Sequence, residues 1–487
     1  MYRKLIQIGL VYITVGTSLA QNPATSLSPQ FPQDSDNITR IVGAEMTRGG
    51  AATFLETLTD SVGGRVTGSP ECRAAAELIL ATLKRSGFET THFEEYPMEA
   101  RWQRGPATGQ VLSPVTRPLF VGSYAWVPGT AGLIEAPLVD LGSPASKEIA
   151  ADSGNLKGAA VLVDPHDTAD SPAFVMRGAL ANELAAAGAA AMLIPSDKPN
   201  RMVYTSAFGF YPRGPLPVIS VAKEDALFLR RLLAKGPVRV AFDIQNSFDT
   251  SPAKDRNVIA DLPGANPDEI VLIGAHFDSW DPAQGANDDG SGVAAVLEAA
   301  RVLQSLGLKP RRTIRFAFFS GEEEALLGSR AYVLAHQSEL DQLRAVLIMD
   351  SGAQAPRGFH FQGRTDLKNT MGDLLSPLAP LGANGFSLAG SFDQDHAPFL
   401  VAGVPAATLW VDPGEYDVHH HSITDTFDKV DPRMLALDTA VMATAAYTLA
   451  NAEQTPGRRL SQAEVTDLLK KAGLESTYRM VYRVGDP

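Results

Sequence analysis

Residues 270–297 read IVLIGAHFDSWDPAQGANDDGSGVAAVL. Ile270 to Ala275 is an unbroken apolar run. A strand with one wet face would alternate, so this run predicts a strand buried on both faces. After a glycine-rich interval, Val293 to Leu306 sets Val293, Val296, Leu297 and Ala300 on one face of a helix. The alternation continues through a strand at Ile314 to Phe319, a helix at Leu326 to His336, strands at Ala345 to Met349 and Ala406 to Val411, and a closing helix at Arg433 to Asn451. Apolar strands separated by helices predict an α/β fold in three layers, α/β/α, with a mostly parallel central sheet.

Ligands of such sheets collect outside the carboxyl ends of the strands. The residues that follow each expected strand are of one chemical kind: His276-Phe277-Asp278 after the first, Glu322-Glu323-Glu324 after the second, Asp350 after the third, and His419-His420-His421 beyond the fourth. Asp288-Asp289 lies among glycines between the first strand and its helix. Each signal alone is ordinary. Acids that open a helix complement its dipole, and acids among glycines make turns. Their joint delivery to one sheet edge is what points to a metal site.

The rest of the chain narrows the chemistry. Its 487 residues hold 42 Lys and Arg against 55 Asp and Glu, a net charge of −13, which argues against nucleic acid and anionic membrane surfaces as partners. The single cysteine, Cys72, excludes an intramolecular disulfide and a thiolate metal site. Any metal must then be held by carboxylate oxygen and imidazole nitrogen. Arg3 and Lys4, the apolar stretch from Leu5 to Val15 and the small residues ending at Ala20 read as a signal peptide over 1–20. The stretch is shorter than the ~20 residues of a bilayer span, so a secreted or periplasmic protein is expected.

Residues 21–40 read as a flexible leader, and 41–109 as the first part of the sheet domain, with two helices running into a strand. Over 110–248 the texture differs: Ala159 to Val163, Ala191 to Ile194, Val218 to Val221 and Val238 to Phe242 are short apolar runs punctuated by Gly and Pro, with one Ala-rich helix at Ala179 to Ala187. A separate, β-rich inserted domain is expected there. The sheet domain resumes over 249–455, and 456–487 is a polar tail with a short helix at Glu464 to Ala472.

The physical reading of the clustered ligands is a site for two zinc ions. Two zincs ~3.5 to 4 Å apart share a bridging carboxylate and a water whose pKa falls toward ~7, while a nearby carboxylate takes its proton.

These residues resemble the co-catalytic zinc aminopeptidase-type peptidases, peptidase family M28, and within them a secreted carboxypeptidase-type branch. The resemblance is carried by His276-Phe-Asp-Ser-Trp-Asp281, Gly285-Ala-Asn-Asp-Asp-Gly-Ser-Gly292, Ser320-Gly-Glu-Glu-Glu324, Leu327-Gly-Ser-Arg-Ala331, Asp350-Ser-Gly352, Asp395-His-Ala-Pro-Phe399, His420-His-Ser422 with Asp425-Thr426, and Gly64-Arg-Val-Thr-Gly-Ser69. It implies that Asp288 bridges two zincs, one completed by His276 and Asp350, the other by Glu323 and His421, with Glu322 as general base. It further implies that Asp278 orients His276 and that Asp289 follows an unusual peptide bond. His421 is preferred as ligand because the family's histidine stands four residues before the Asp of an Asp-Thr pair. His420 would then face the substrate carbonyl and help stabilise the oxyanion. By its position the insert resembles a protease-associated domain, for which a lid or dimer contact is the expected role.

The implied substrate is a dipeptide or a short peptide. Asp393, Asp395, His396, Arg357 and Arg364 are the charged residues near these motifs that are candidates for gripping its ends. Two other readings share the scaffold: a one-zinc acyltransferase of the glutaminyl cyclase kind, and a non-catalytic binding protein. Counting zinc separates the first, and the intact base and ligand set speaks against the second.

Overall fold

The run at 270–276 lies at the centre of an eight-stranded sheet. In chain order its strands are β1 (His92–Met98), β2 (Ala253–Leu262), β3 (Asn266–His276), β4 (Arg312–Phe319), β5 (Leu343–Ile348), β6 (Pro356–His360), β7 (Gly385–Ser387) and β8 (Ala406–Val411). Their spatial order is β1-β2-β4-β3-β5-β8-β6-β7. The central four, β4, β3, β5 and β8, are parallel. β1, β2 and β6 add antiparallel pairings at the flanks, so the sheet is mixed. This computed structural model describes residues 35–145, 149–150, 153–165, 173–208 and 213–481, and the expected signal peptide lies outside the described residues.

Period-two geometry divides the central strands between two cores. Val271, Ile273 and Ala275 join Phe316 and Leu347 beneath the helices Ala51–Ser61, Ser291–Ser305 and Pro432–Asn451. Ile270 and Leu272 face the other way, with Val346 and Ile348, onto Tyr332 of helix Leu327–Ala335 and Phe399 of helix His396–Val401. Each such buried aliphatic contributes about 1.5–3 kcal/mol, which fixes the register that brings the strand ends together. Among the described residues no helix is long and apolar enough to cross a membrane.

Three expectations are corrected. Among the described residues three helices precede β1, not two: Ser35–Arg48, Ala51–Ser61 and Pro70–Arg85. The first begins within the stretch read as a flexible leader and buries Ile41 and Ala44 against the core. The insert is α/β rather than simply β-rich. Its own eight-stranded sheet runs from Ala107–Ser113 to Arg239–Ile244, and Ala173–Ala186 and Lys223–Leu233 pack on its opposite faces. Finally, the acidic run after β4 does not open a helix. Glu322 to Leu326 forms a turn, Ala325 and Leu326 have φ of 76° and 64°, and the helix starts only at Leu327.

The tail also does more than its polarity suggests. Ser461 and Glu464 cap helix Gln462–Lys471 reciprocally, and a second helix, Glu475–Val481, follows. Val465 and Leu469 pack with Leu326, Phe392 and Leu400.

Candidate metal centre

The carboxylate of Asp288 stands between two histidines. Its Oδ1 is 3.4 Å from His276 Nε2, and its Oδ2 is 3.1 Å from His421 Nε2. Asp350 Oδ1 lies 3.6 Å from the same nitrogen of His276, and Glu323 Oε2 lies 3.1 Å from that of His421. His420 Nε2 is 3.5 Å from Asp288 Oδ2, its ring stacked between Tyr416 and His421. The structure therefore brings together the residues expected as ligands, from β3, the turn after β4, the end of β5 and the loop beyond β8.

Around His276 the atoms are spaced as the ligands of one shared ion would be. Distances of 3.4 and 3.6 Å are long for hydrogen bonds. Two donors held about 2.1 Å from one ion at the tetrahedral angle stand about 3.4 Å apart. His276 Nε2 and Glu323 Oε1 are buried without a hydrogen-bond partner, and His276-Asp288-Asp350 and Asp288-His420-His421 each place ligand atoms within 4.8 Å of one another. Imidazole and carboxylate donors of this kind suit zinc. The charge pattern agrees. Burial pushes Glu323 up to about 7, and burial with nearby carboxylates raises Asp350 and Asp289. His276 stays well above the usual imidazole range despite burial, because Asp350, Asp278 and Asp288 surround it. So many buried acids call for a cation.

Hydrogen bonds to the backbone brace the segment that carries Asp288. The peptide bond Asp288-Asp289 is cis. Asp425 accepts from Asn287 N at 2.7 Å and Asp288 N at 3.1 Å, while Asp289 accepts from His276 N at 3.2 Å and Gly292 N at 3.0 Å. A side chain at Gly292 would strike that carboxylate and the Met349 carbonyl. Fully buried Arg65 donates to the carbonyls of Phe277 (2.6 Å), Gly63 (2.9 Å), Gln284 (2.6 Å) and Gly285 (2.9 Å), tying the loop before Asp288 to the end of β3. Asp278 accepts from Thr67 Oγ1 at 2.9 Å and from the N–H groups of Glu322 and Glu323, both at 3.3 Å. It therefore holds the glutamate turn as well as facing His276 Nδ1 at 3.5 Å.

A cavity of about 580 Å³ opens onto the centre, lined by Asp288, Glu322, Glu323, Asp350, His420 and His421 and walled by Phe392, Leu409 and Trp410. Glu322 is held well above the ordinary carboxylate range, first by burial. Of the residues proposed for gripping substrate, Asp393 lines this cavity. The other four are corrected. Asp395 is 1% exposed, and His396 is fully buried with Nε2 on the Ser391 carbonyl at 3.1 Å and its pKa lowered to about 4 by burial. Arg364 is fully buried on Asp366 and the carbonyls of Gly403 and Arg458, and exposed Arg357 is paired with Asp412 away from the cavity.

No residue of the insert is among those expected at the site, yet the insert reaches it. Tyr204 Oη meets His421 Nδ1 at 3.1 Å, Thr205 N donates to the His421 carbonyl at 2.9 Å, and Tyr204 bridges Ser422. Tyr204, Ser206, Ala207 and Arg177 line the cavity beside Asp288, Glu323 and His421. A further seam joins Trp126 of the insert to Glu324, whose other oxygen meets the Thr67 hydroxyl. No local signal marks these residues, since the partners stand 198 to 217 positions apart.

Comparison with known proteins agrees with this geometry. Residues 257–448 match the model of peptidase family M28. Carboxypeptidase Q of Bos taurus is 30% identical over 409 residues, covering 82% of this chain and 85% of that protein. A probable lipoprotein aminopeptidase, LpqL, of Mycobacterium tuberculosis is 30% identical over 422 residues, covering 79% and 80%. The crystal structure of a peptidase M28 precursor from Shewanella amazonensis superposes with a TM-score of 0.78 at 28% identity, covering 87% of this chain and 98% of that one. With the ligand cluster at the strand ends and likeness along most of its length, the chain belongs to peptidase family M28.

Proposed function

We propose that this family M28 enzyme is a secreted zinc exopeptidase that holds two zinc ions and hydrolyses dipeptides or short peptides. The observation that carries the reading is the placement of Asp288, one oxygen toward His276 and the other toward His421, each histidine with a second carboxylate beside it. One ion would be held by His276, Asp288 and Asp350, the other by Asp288, Glu323 and His421. Zinc there supplies a water of lowered pKa and positive charge against the developing oxyanion.

The chain's residues do the rest. Glu322, half-buried at the cavity wall, accepts the proton of the attacking water on its carboxylate and passes it to the leaving amine; its raised affinity for protons suits both steps. His420 is kept neutral, at about 3, mainly by burial, and presents its ring to the cavity, where it donates to the carbonyl oxygen as negative charge develops. Asp278 fixes the His276 ring, and Asp289 and Asp425 hold the bridging segment. The insert acts as a protease-associated-type lid: its residues close one side of a cavity whose size limits the substrate to a few residues. Export by the signal over 1–20 and pairing into a homodimer belong to the same reading.

The test is zinc content by mass spectrometry, together with hydrolysis of free dipeptides, amino-terminally blocked dipeptides and aminoacyl amides, with and without chelator. Two zincs per chain and chelator-sensitive cleavage of at least one class are expected. One zinc with cyclisation of amino-terminal glutamine would favour the acyltransferase reading. Two zincs with no cleavage of any class would refute the exopeptidase.

A further inference from the structure

We propose that Arg177, from the inserted domain, is the anchor for the free terminal carboxylate of the substrate, so that the enzyme removes a carboxyl-terminal residue or splits a dipeptide. This rests on the peptidase reading and names its substrate class.

Four arginines are buried among the described residues: Arg65, Arg177, Arg312 and Arg364. Three have their donors committed. Arg65 serves four carbonyls, Arg312 pairs with Glu269 and the Leu449 and Ala452 carbonyls, and Arg364 pairs with Asp366 and two carbonyls. Arg177 does not. It is 8% exposed, its Nε has no partner, and one terminal nitrogen makes only long bonds, 3.4 Å to Ser206 Oγ and 3.3 Å to the Ala207 carbonyl. No carboxylate lies within ion-pair distance of it among the described residues, and its guanidinium sits over the Tyr124 ring at 5.4 Å. A buried guanidinium with open N–H groups is expensive unless an anion completes it.

The place where that anion would sit is the substrate cavity. Among the described residues, Arg177 is the one arginine or lysine that lines it. A guanidinium edge takes a carboxylate through two parallel N–H bonds, and it repels an ammonium. Tyr204 touches His421 and Ser206 touches Arg177, and all four residues line the cavity, so the Arg177 guanidinium shares one cavity with the clustered histidines and carboxylates.

The test compares Arg177→Met and Arg177→Lys with wild type on alanyl-leucine, alanyl-leucinamide and alanyl-glutamic acid amide, with kcat and KM separated and thermal melting recorded. Wild type should prefer the free acid. Arg177→Met should lower kcat/KM for alanyl-leucine about 10- to 100-fold, mainly through KM, as expected for losing a charge-assisted pair, and leave alanyl-leucinamide within about threefold. Arg177→Lys should recover part of the loss. Equal losses on acid and amide in both variants would make Arg177 a structural residue and overturn the proposal. A loss confined to alanyl-glutamic acid amide would show that a side-chain carboxylate is read instead, and overturn it too. If wild type cleaves none of the three with two zincs bound, the peptidase reading itself fails, which the wild-type measurement alone reveals.

Discussion

Tyr204→Phe removes one oxygen from the seam between insert and metal centre. The ring would stay, still packed on Tyr124 (6.0 Å between centroids) and His421 (5.4 Å), and the backbone bond from Thr205 N to the His421 carbonyl is untouched. What is lost is the 3.1 Å contact with His421 Nδ1. With Nε2 aimed at an ion, Nδ1 carries the hydrogen and the tyrosine oxygen accepts it, fixing the tautomer and the ring's rotation. Loss of such a partner lowers metal affinity about 10- to 100-fold, or about 1.4–2.7 kcal/mol, which is also the range for leaving one buried N–H unpaired. The effect should fall on one ion only. His276 is held by Asp278 and Asp289, and the Asp350 carbonyl accepts from Gln394, none of which Tyr204 touches. Graded chelator titration followed by zinc counting should therefore release one zinc per chain early in Tyr204→Phe and leave the other at the wild-type concentration. Equal weakening of both ions, or a titration identical to wild type, would refute the reasoning.

Glu322→Gln should keep both zincs and lower kcat by about 10²- to 10⁴-fold, the usual worth of a positioned general base; a variant within tenfold of wild type in steady-state assays would remove Glu322 from that role. Asp425→Ala orphans the N–H groups of Asn287 and Asp288 at about 1–3 kcal/mol each, so lower zinc retention and an earlier denaturant midpoint are expected, and an unchanged zinc count would contradict the bracing role. Glu45 is raised to about 8 by burial and by Glu298, against an ordinary 4.5. Its folded form binds the proton more tightly than its unfolded form, so it contributes stability that is full below about 4.5 and lost as pH rises toward 8. Melting of Glu45→Gln against wild type across this range should show the wild type losing more than about 1 kcal/mol relative to the variant, and parallel curves would sink the assignment.

Which parts of this were legible in the sequence follows from what kind of contact made them. The expected ligands were legible because they lie at or beyond the carboxyl ends of buried strands, and the sheet's register turns that one-dimensional fact into proximity. The glutamate turn was misread for a reason of propensity. Glu322-Glu323-Glu324-Ala325-Leu326-Leu327 is made of good helix formers, yet Asp278 takes the N–H groups of Glu322 and Glu323, and Ala325 and Leu326 adopt the left-handed region. Tertiary hydrogen bonds override propensities of a few tenths of a kcal/mol per residue. Arg364 and Asp395 were misjudged because a charge in a loop reads the same whether solvent or packing receives it; the tail, carrying Arg458 and helix Gln462–Lys471, covers that region.

The insert's share was illegible in a stronger sense. Tyr204, Arg177 and Trp126 sit in stretches whose periodicity describes only their own sheet and helices, and nothing local says that this sheet's margin will meet a histidine more than two hundred residues later. Yet the meeting explains features of the peptidase half that its own residues leave unexplained. His421 has a positive φ of 58°, and its carbonyl and its ring nitrogen are both engaged by the insert. Glu324 is buried with Trp126 and Thr67 as its partners. The segment that carries Tyr204 toward His421 also carries Ser206, which meets Arg177 at the cavity wall. Moving the insert outward as a rigid body would therefore cost the enzyme the orientation of one ligand and the anchoring of its substrate together. Its docking is a condition of the site's completeness, which is why the Tyr204 and Arg177 variants should separate into a metal phenotype and a substrate phenotype while sharing one structural cause.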